Sequence, residues 1–377
     1  MELLIGIYIF VCILYLFLCS ASSVSIQTSK PSIAFILLSF TALLYMHCAV
    51  DLYSVEDLWS YANRFQEAAS MSFANFSDAF RTNEYAFNYF SWIVSLVTHD
   101  FRLFLVIYNI ILLTIYYYTF KKYSVNVPLA IICMILTVYF QSIFVLRQHL
   151  AISILLLSLP FIINKKLIPY LLICVLAFNI HISAIAWLPV YFIYNIEGKK
   201  TYLLSLVISA FAITTIISNI GDVFLLIEAD YSSYLESNTK ISTTKNLINV
   251  TYLIIYAITL KGEMFKNGIN RLATTLLFLC TIGYILAPPV ALVDRMLTYY
   301  SIATVFTIPL IWYYLPSPAL KNLFVFVVII LQGYVSIQPL SADYYKNFTI
   351  VALNFPYVIM CIVATILVYK IYSKPNY

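Results

Sequence analysis

The chain has 377 residues, of which 63% are hydrophobic and 10% are charged, and its mean hydropathy is +0.93. Because soluble domains contain about 25% charged residues, this composition excludes a soluble globular fold and predicts a polytopic membrane protein. The formal net charge of +5 comes largely from Lys pairs between apolar runs, which does not indicate a nucleic-acid-binding surface.

Thirteen apolar runs follow one another along the chain, and most approach the 20 residues that cross a bilayer as a helix. They lie at 3–20, 32–50, 102–120, 127–146, 149–163, 168–182, 183–196, 202–220, 247–260, 272–290, 297–315, 322–338 and 351–371. The first run lacks a basic start and a small-residue cleavage site, so we interpret it as a span and not as a cleaved signal. The pair 168–182 and 183–196 is short and is expected to form one bent or broken element.

We therefore expect an all-α polytopic membrane protein with about 13 (12–14) transmembrane helices in a single integral membrane domain, 1–377. Segment 86–99 is too short to span comfortably, so we predict an interfacial or re-entrant helix there. Larger periplasmic loops are expected at 51–101, 221–246 and 339–350. These loops are rich in carboxylates, Tyr and Asn, which bind sugars but also occur in ordinary solvated loops and in interfacial aromatic belts.

Charge predicts which side of the membrane each loop occupies. Lys pairs at 121–122, 165–166 and 199–200 are typical of short cytoplasmic loops. With the N-terminus outside and the C-terminus inside, 12 of the 15 Lys fall in the cytoplasm and 14 of the 16 acidic residues fall outside. If segment 86–99 does span, the N-terminus and loop 51–85 become cytoplasmic instead.

Arginine does not follow lysine in this layout. Five of the six Arg fall on the outer side, and they are Arg64, Arg81, Arg102, Arg147 and Arg295. Topology alone would retain both cationic residue types inside. Arginine forms bidentate bonds to phosphate or carboxylate, so this distribution favours an anion-binding function at the outer face.

Polar side chains stand at both ends of the apolar stretch 144–192. Arg147, Gln148 and His149 lie near its start, and His181 and Ser183 lie near its end. A charged group at a helix centre costs roughly 2.5–3.5 kcal/mol on insertion, which makes such groups functional candidates. The alternatives are a snorkelling boundary arginine and a packing histidine.

Arg295 has a similar setting, because it begins an apolar helix on the outer side and follows Asp294. A local Asp–Arg surface pair is the alternative interpretation. The sequence has no HExxH, GxSxG or phosphate-binding glycine loop, and its four His and seven Cys form no ligand cluster. We expect no metal and no cofactor.

A family resemblance appears in the same stretch. The chain carries Arg-Gln-x-Leu-Ala at 147–151, a Lys pair at 165–166, Leu-Ala-x-x-x-His-x-Ser-Ala at 176–184 and Leu-Pro at 188–189. This pattern resembles the EpsG family of membrane polysaccharide polymerases, which are similar to the Wzy O-antigen polymerases. The later Arg295-Met296, Tyr299-Tyr300 and Phe355-Pro356-Tyr357 are similar to that family too. The family's Gly-Thr-Asp-Tyr-like signature is represented only by Asp51, Tyr53 and Asp57.

The resemblance implies a GT-C-like or Wzy-like glycosyltransferase of the bacterial inner membrane. Such an enzyme transfers a growing glycan from undecaprenyl pyrophosphate to the non-reducing end of a lipid-linked repeat unit at the periplasmic face. Its partners are these lipid-linked oligosaccharides, membrane lipid and, as a further candidate, a chain-length regulator; nucleic acid is not among them.

The same chemistry suggests a role for each polar residue. Arg147 and Arg295 would stabilise the pyrophosphate leaving group, and His181 would act as base. A carboxylate from loop 51–85 or 221–246 is the competing base. The expected substrate-binding residues are Gln148, His149, Ser183, Asp51, Asp57 and Asp294.

Three other functions remain open. An O-antigen ligase would use the same lipid donor. A transporter of the lipid-linked unit would need charge at mid-membrane, whereas here the charge clusters at one face. A membrane acyltransferase would place its histidine in a deep polar pocket.

Overall fold

The computed structural model describes residues 33–54, 56–71, 84–209, 211–212, 215, 243–286, 291–340 and 348–373. These residues fold into helices and one isolated antiparallel bridge between Val50 and Ile350. The prediction of an all-α membrane protein is therefore confirmed.

The helices are numbered here in chain order. They are α1 (Ile33–Cys48), α2 (Glu56–Ala69), α3 (Tyr85–Ser95), α4 (Phe101–Tyr123), α5 (Val127–Phe144), α6 (Leu146–Ile163), α7 (Leu167–Ile180), α8 (Ile182–Tyr194), α9 (199–209), α10 (Thr243–Leu260), α11 (Ile269–Leu286), α12 (Ala291–Ser301), α13 (Thr304–Tyr314), α14 (Pro318–Leu340) and α15 (Phe355–Ser373).

Seven helical stretches within the described ranges are long and apolar enough to cross a membrane. They are Phe101–Tyr123, Val127–Phe144, Leu146–Ile163, Thr244–Phe265, Ile269–Leu286, Asp294–Tyr314 and Pro318–Ser336. Shorter apolar helices occupy Ile33–Cys48, Leu167–Ile180, Ile182–Tyr194 and Phe355–Lys370. The expected count of about 13 spans is not supported. The predicted span 3–20, the end of 202–220 and most of loop 221–246 lie outside the described residues.

Helix ends follow local capping chemistry. The Asp100 side chain accepts a hydrogen bond from the Arg102 backbone N–H at 2.8 Å and so caps α4. Asn126 caps α5 in the same way through the Leu129 N–H at 3.1 Å. Segment 86–99 forms the 11-residue helix α3, about 16 Å long at 1.5 Å per residue, which agrees with the expectation that it is too short to span.

Two breaks in the helices lie at or beside residues that are predicted to be functional. The first lies at Val145, whose backbone leaves the helical region (φ −99°, ψ 67°), so Arg147 falls in the first turn of α6. The sequence-based boundary at 146–149 had placed it between two helices. The second break lies at His181, between α7 and α8, where a broken element was expected.

The chain divides into two compact units. Unit 1 comprises the described residues of Met1–Arg81, Ala86–His149 and Gln332–Tyr377, and unit 2 comprises those of Thr82–Tyr85 and Leu150–Leu331.

In unit 1, α1 packs against α4 and α15, and α4 also packs against α2 and α5. Buried polar contacts connect these helices. His47 Nδ1 is 2.5 Å from the Asn109 side-chain oxygen, and its ring stacks on Tyr139 with centroids 4.3 Å apart. Tyr139 ends a π-helical turn in α5, Ile135–Tyr139. This turn brings the Tyr139 carbonyl to 3.3 Å from His47 Nε2.

In unit 2, α11 packs against α10, α12 and α13, and α8 packs against α7 and α12. Gly283 on α11 allows the close approach of α12, because a Cβ there would lie 2.5 Å from Cδ2 of the buried Leu297. The predicted site residues of unit 2 lie on these packed helices or next to them.

Candidate functional site

Arg147 is held against an aromatic side chain within unit 1. Its Nε donates a hydrogen bond to the hydroxyl of Tyr61 on α2 at 3.3 Å, and its Cζ lies 5.6 Å from the centroid of the same ring. The guanidinium is half-buried. The ring contact and the hydrogen bond together restrict the orientation of the guanidinium.

Arg147 and Tyr61 form part of a small cavity between α2, α3, α4 and α6. The other lining residues are Arg64, Phe65, Phe87, Asn88, Ser91 and Phe104. The lining thus includes two arginines, an asparagine, a serine and a tyrosine beside three phenylalanines, and the Ser91 hydroxyl donates to the Phe87 carbonyl at 3.0 Å. The enclosed space is about 10 Å³, enough for one water molecule. This donor set suits an anionic oxygen, whereas a sugar ring would not fit inside.

The neighbours of Arg147 have a different environment. Gln148 and His149, also in the first turns of α6, are buried, and neither belongs to the cavity lining. Arg64 on α2 is exposed, so it brings a second positive charge to the solvent-facing side of the cavity.

His181 lies in unit 2 at the break between α7 and α8. Its backbone is extended (φ −154°, ψ 122°), and its side chain is buried. Nδ1 of its ring contacts the carboxylate of Glu84, a residue that the sequence analysis did not single out. The same carboxylate oxygen accepts a hydrogen bond from the Ile182 backbone N–H at 3.4 Å.

The segment after His181 is fixed to α12. The buried Ser183 hydroxyl donates to the Tyr299 hydroxyl at 3.3 Å, and the Tyr300 hydroxyl donates to the Ala186 carbonyl. Arg295, partly exposed, precedes Tyr299 by one helical turn on α12. Unit 2 thus brings the histidine-bearing break against the helix that carries Arg295.

Asp294 joins three helices of unit 2. Its Oδ1 accepts a hydrogen bond from the Tyr284 hydroxyl at 3.0 Å and lies 3.5 Å from Nζ of Lys245. Lys245 in turn donates to the Tyr284 hydroxyl at 2.8 Å. This network connects α10 and α11 to the first turn of α12 and helps to hold Arg295 in place.

The two carboxylates predicted from the first outer loop have different settings. Asp51 accepts hydrogen bonds from the Tyr53 backbone N–H and the Thr349 hydroxyl, both at 3.1 Å, and so stabilises the turn beside the 50–350 bridge. Asp57 is partly exposed on α2, one turn before Tyr61. Their roles in substrate binding stay predictions.

The arginines predicted to lie on the outer face differ in their contacts. Arg102 donates to the Cys48 carbonyl at 2.5 Å and to the Val50 carbonyl at 3.2 Å, so it caps the end of α1. Arg81 lies outside the described residues. Arg147 and Arg295 stay the predicted anion-binding residues, and the structure adds Arg64 through its place in the cavity lining.

Sequence reasoning missed Glu84 and Tyr61. The signal for Glu84 was an acidic residue two positions before the apolar segment 86–99, and the signal for Tyr61 was its position one turn after Asp57. Neither signal identifies a partner, because Glu84 is 97 residues from His181 and Tyr61 is 86 residues from Arg147. In the parts of the chain that the structure covers, no group of three or more His, Cys, Asp and Glu side chains is placed to hold a metal ion.

These features define a class of protein, a multi-pass helical membrane protein with arginine and histidine sites between its helices. The model of the EpsG family matches residues 33–352, and the chain belongs to the EpsG family. The resemblance predicted from the sequence is thereby confirmed, and family membership indicates a membrane polysaccharide polymerase-type function. Comparisons with curated proteins and with solved structures gave no match.

Proposed function

We propose that this protein is a polysaccharide polymerase of the O-antigen type in a bacterial inner membrane. It transfers the growing glycan from undecaprenyl diphosphate to the non-reducing end of a lipid-linked repeat unit at the periplasmic face. The observation that carries the proposal is the Arg147 cavity, where two arginines and neutral donors surround space for an anionic oxygen in a chain of the EpsG family.

The reaction explains why arginine is needed. The bond between the sugar C1 and the diphosphate oxygen breaks, and the electron pair leaves with the lipid diphosphate. Donors already aimed at that oxygen stabilise the developing charge without reorganising. Arg147, fixed on Tyr61, supplies such donors, and the exposed Arg64 adds charge where the headgroup would approach.

The size of the cavity defines what it binds. A space of about 10 Å³ accepts a single oxygen atom but neither the polyprenyl chain nor a saccharide. We therefore assign the cavity to a single oxygen of the diphosphate, with the rest of the group outside it. The aromatic rings of Phe65, Phe87 and Phe104 lower the local polarity and strengthen each charge-assisted hydrogen bond.

The acceptor half of the reaction is assigned to unit 2. His181 is the proposed base for the acceptor hydroxyl, and Arg295 on the neighbouring α12 is the second cationic group. Support comes from the contacts of Ser183 and Ala186 with α12, which fix the histidine segment beside that helix.

A deletion strain complemented with variants tests the proposal. Glycan carried on lipid is displayed on a gel, and we expect the strain to show single-repeat glycan only. Wild-type protein and the exposed-loop control Lys166→Ala should restore the ladder, whereas Arg147→Ala should not, although it inserts to the same level. Long unattached chains in the deletion strain would instead indicate a ligase, and a normal ladder with Arg147→Ala would overturn the assignment of the cavity.

A further inference from the structure

A buried carboxylate accompanies His181. Glu84 is 1% exposed and His181 is 2% exposed, and the carboxylate contacts Nδ1 of the ring within unit 2. Two ionisable groups in an apolar interior cost free energy unless they are matched to each other. In membrane proteins such residues commonly mark a functional site.

The backbone at this point gives a second, independent observation. The chain leaves α7 at His181 in an extended conformation and continues as a 3-10 turn, Ile182–Trp187. Non-helical backbone at membrane depth is tolerated where it is buried in protein or lines a cavity, and broken helices often form substrate sites. Glu84 also accepts the Ile182 N–H, so it binds both the ring and the backbone of the break.

We propose that Glu84 is the positioning residue for His181 in glycosyl transfer, a role that rests on the proposed polymerase function. An ionised carboxylate at Nδ1 selects the tautomer in which Nδ1 carries the proton and Nε2 carries the lone pair. Nε2 is then the atom that takes the proton from the acceptor hydroxyl. Glu84 itself touches neither sugar.

In this transfer two bonds break and two bonds form. The O–H bond of the acceptor breaks, and its proton passes to Nε2 of His181. The acceptor oxygen forms a bond to the sugar C1, and the diphosphate leaves with the electron pair of the broken C1–O bond. Glu84 stays ionised and stabilises the imidazolium that results, in the manner of the carboxylate of a catalytic triad.

Burial of the dyad fits a transfer reaction. Water that reached the base would compete with the sugar hydroxyl, and the glycan would be hydrolysed from its lipid instead of extended. The pair is almost fully enclosed, so bulk water is kept from the base, and the acceptor hydroxyl must displace the groups that cover it. The same low polarity strengthens the contact between carboxylate and imidazole.

The test measures kcat and KM for the full chain in lipid vesicles, with a lipid-linked repeat unit as substrate. Glu84→Gln replaces the acceptor at Nδ1 by an amide that can donate, which favours the wrong tautomer. We expect kcat to fall about 100-fold or more while KM changes little. His181→Gln should be equally slow, and the double variant should be no slower than His181→Gln alone.

A matched control and a conservative variant complete the experiment. Glu197→Gln removes an exposed carboxylate of unit 2 that pairs with Lys165, so its kcat should equal that of the wild type. Glu84→Asp keeps the charge one methylene farther from the ring, and its kcat should lie between those of the wild type and Glu84→Gln. If Glu84→Gln folds poorly, the kcat of Glu84→Asp tests the positioning role in its place.

The outcomes are distinguishable. A Glu84→Gln kcat within threefold of the wild type, with His181→Gln inactive, would overturn the positioning role and leave the polymerase function intact. A higher KM at unchanged kcat would also overturn it, because Glu84 would then only hold the fold or the substrate. A wild-type protein that extends no glycan would overturn the proposed function itself, and the dyad's role with it.

Discussion

Arg147 makes two contacts with Tyr61, one with its ring and one with its hydroxyl. Substitutions can separate the effects of these two contacts. The Tyr61 ring lies under the guanidinium and the Tyr61 hydroxyl accepts from Nε. Lysine retains the charge at this position but has no planar group to reproduce both the ring contact and the fork of N–H donors. We therefore expect the proposed site to require arginine specifically and not merely a cation.

We expect Arg147→Lys to reduce the rate of polymer formation about 10- to 100-fold, since a hydrogen bond to a charged group contributes about 1.5–3 kcal/mol. Tyr61→Phe keeps the ring and should lose less than about tenfold, whereas Tyr61→Leu removes ring and hydroxyl together and should lose more. The rates are measured at equal amounts of inserted protein. Full activity of Arg147→Lys would show that positive charge alone is sufficient.

The sequence indicated half of each candidate site. Arg147 and His181 stood out because charged and titratable groups are rare in apolar runs. Their partners did not, because Tyr61 and Glu84 lie in a polar aromatic segment where such residues are common, and their contacts span 86 and 97 residues. Arg102 is the opposite case. The sequence predicts an outer-side position for it as for Arg147, but its side chain caps α1.

At the scale of single elements, helix breaks decide where functional groups lie. The break at Val145 places Arg147 at the start of α6, where its side chain reaches Tyr61 on α2. The break at His181 places the imidazole beside Glu84. If the helix were continuous at either point, its 3.6-residue repeat would point these side chains in other directions.

Hydropathy located most helices but not their interruptions. The predicted span 297–315 is divided at residues 302–303 into α12 and α13. The π-helical turn in α5 has no distinctive amino-acid composition that would reveal it. A window average detects the apolar length of a run, while a break depends on a few backbone angles fixed by tertiary contacts. The expected broken pair at 168–182 and 183–196 was predictable because each half was too short to span.

The contact between α11 and α12 gives a stability prediction. A Cβ at Gly283 would lie 2.5 Å from the buried Leu297, so Gly283→Ala should cost about 1–3 kcal/mol by overpacking. Because α12 carries Arg295, activity should fall as well. Thermal unfolding in detergent measures the effect.

Gly262→Ala is the matched control, since nothing lies within 4 Å of a Cβ at that position. Its stability should stay within about 0.5 kcal/mol of the wild type. Equal melting temperatures for Gly283→Ala and the wild type would show that α12 can shift without loss.

At the scale of the whole molecule, we propose that the two units serve different halves of the reaction. Unit 1 contains the arginine cavity proposed to bind the diphosphate, and unit 2 contains the Glu84–His181 dyad and the helix with Arg295. Donor activation and acceptor deprotonation are thus assigned to different parts of the chain. Membership of the EpsG family accounts for the membrane fold and for a polysaccharide as the product class.

The most direct test of the central claim uses purified protein in vesicles that contain only a defined undecaprenyl-diphosphate-linked repeat unit. Chain length and release of the lipid diphosphate are followed together. We predict glycans of two or more repeats and one equivalent of lipid diphosphate for each bond formed, both lost in Arg147→Ala. Repeat units that stay single in the presence of correctly folded wild-type protein would contradict the account.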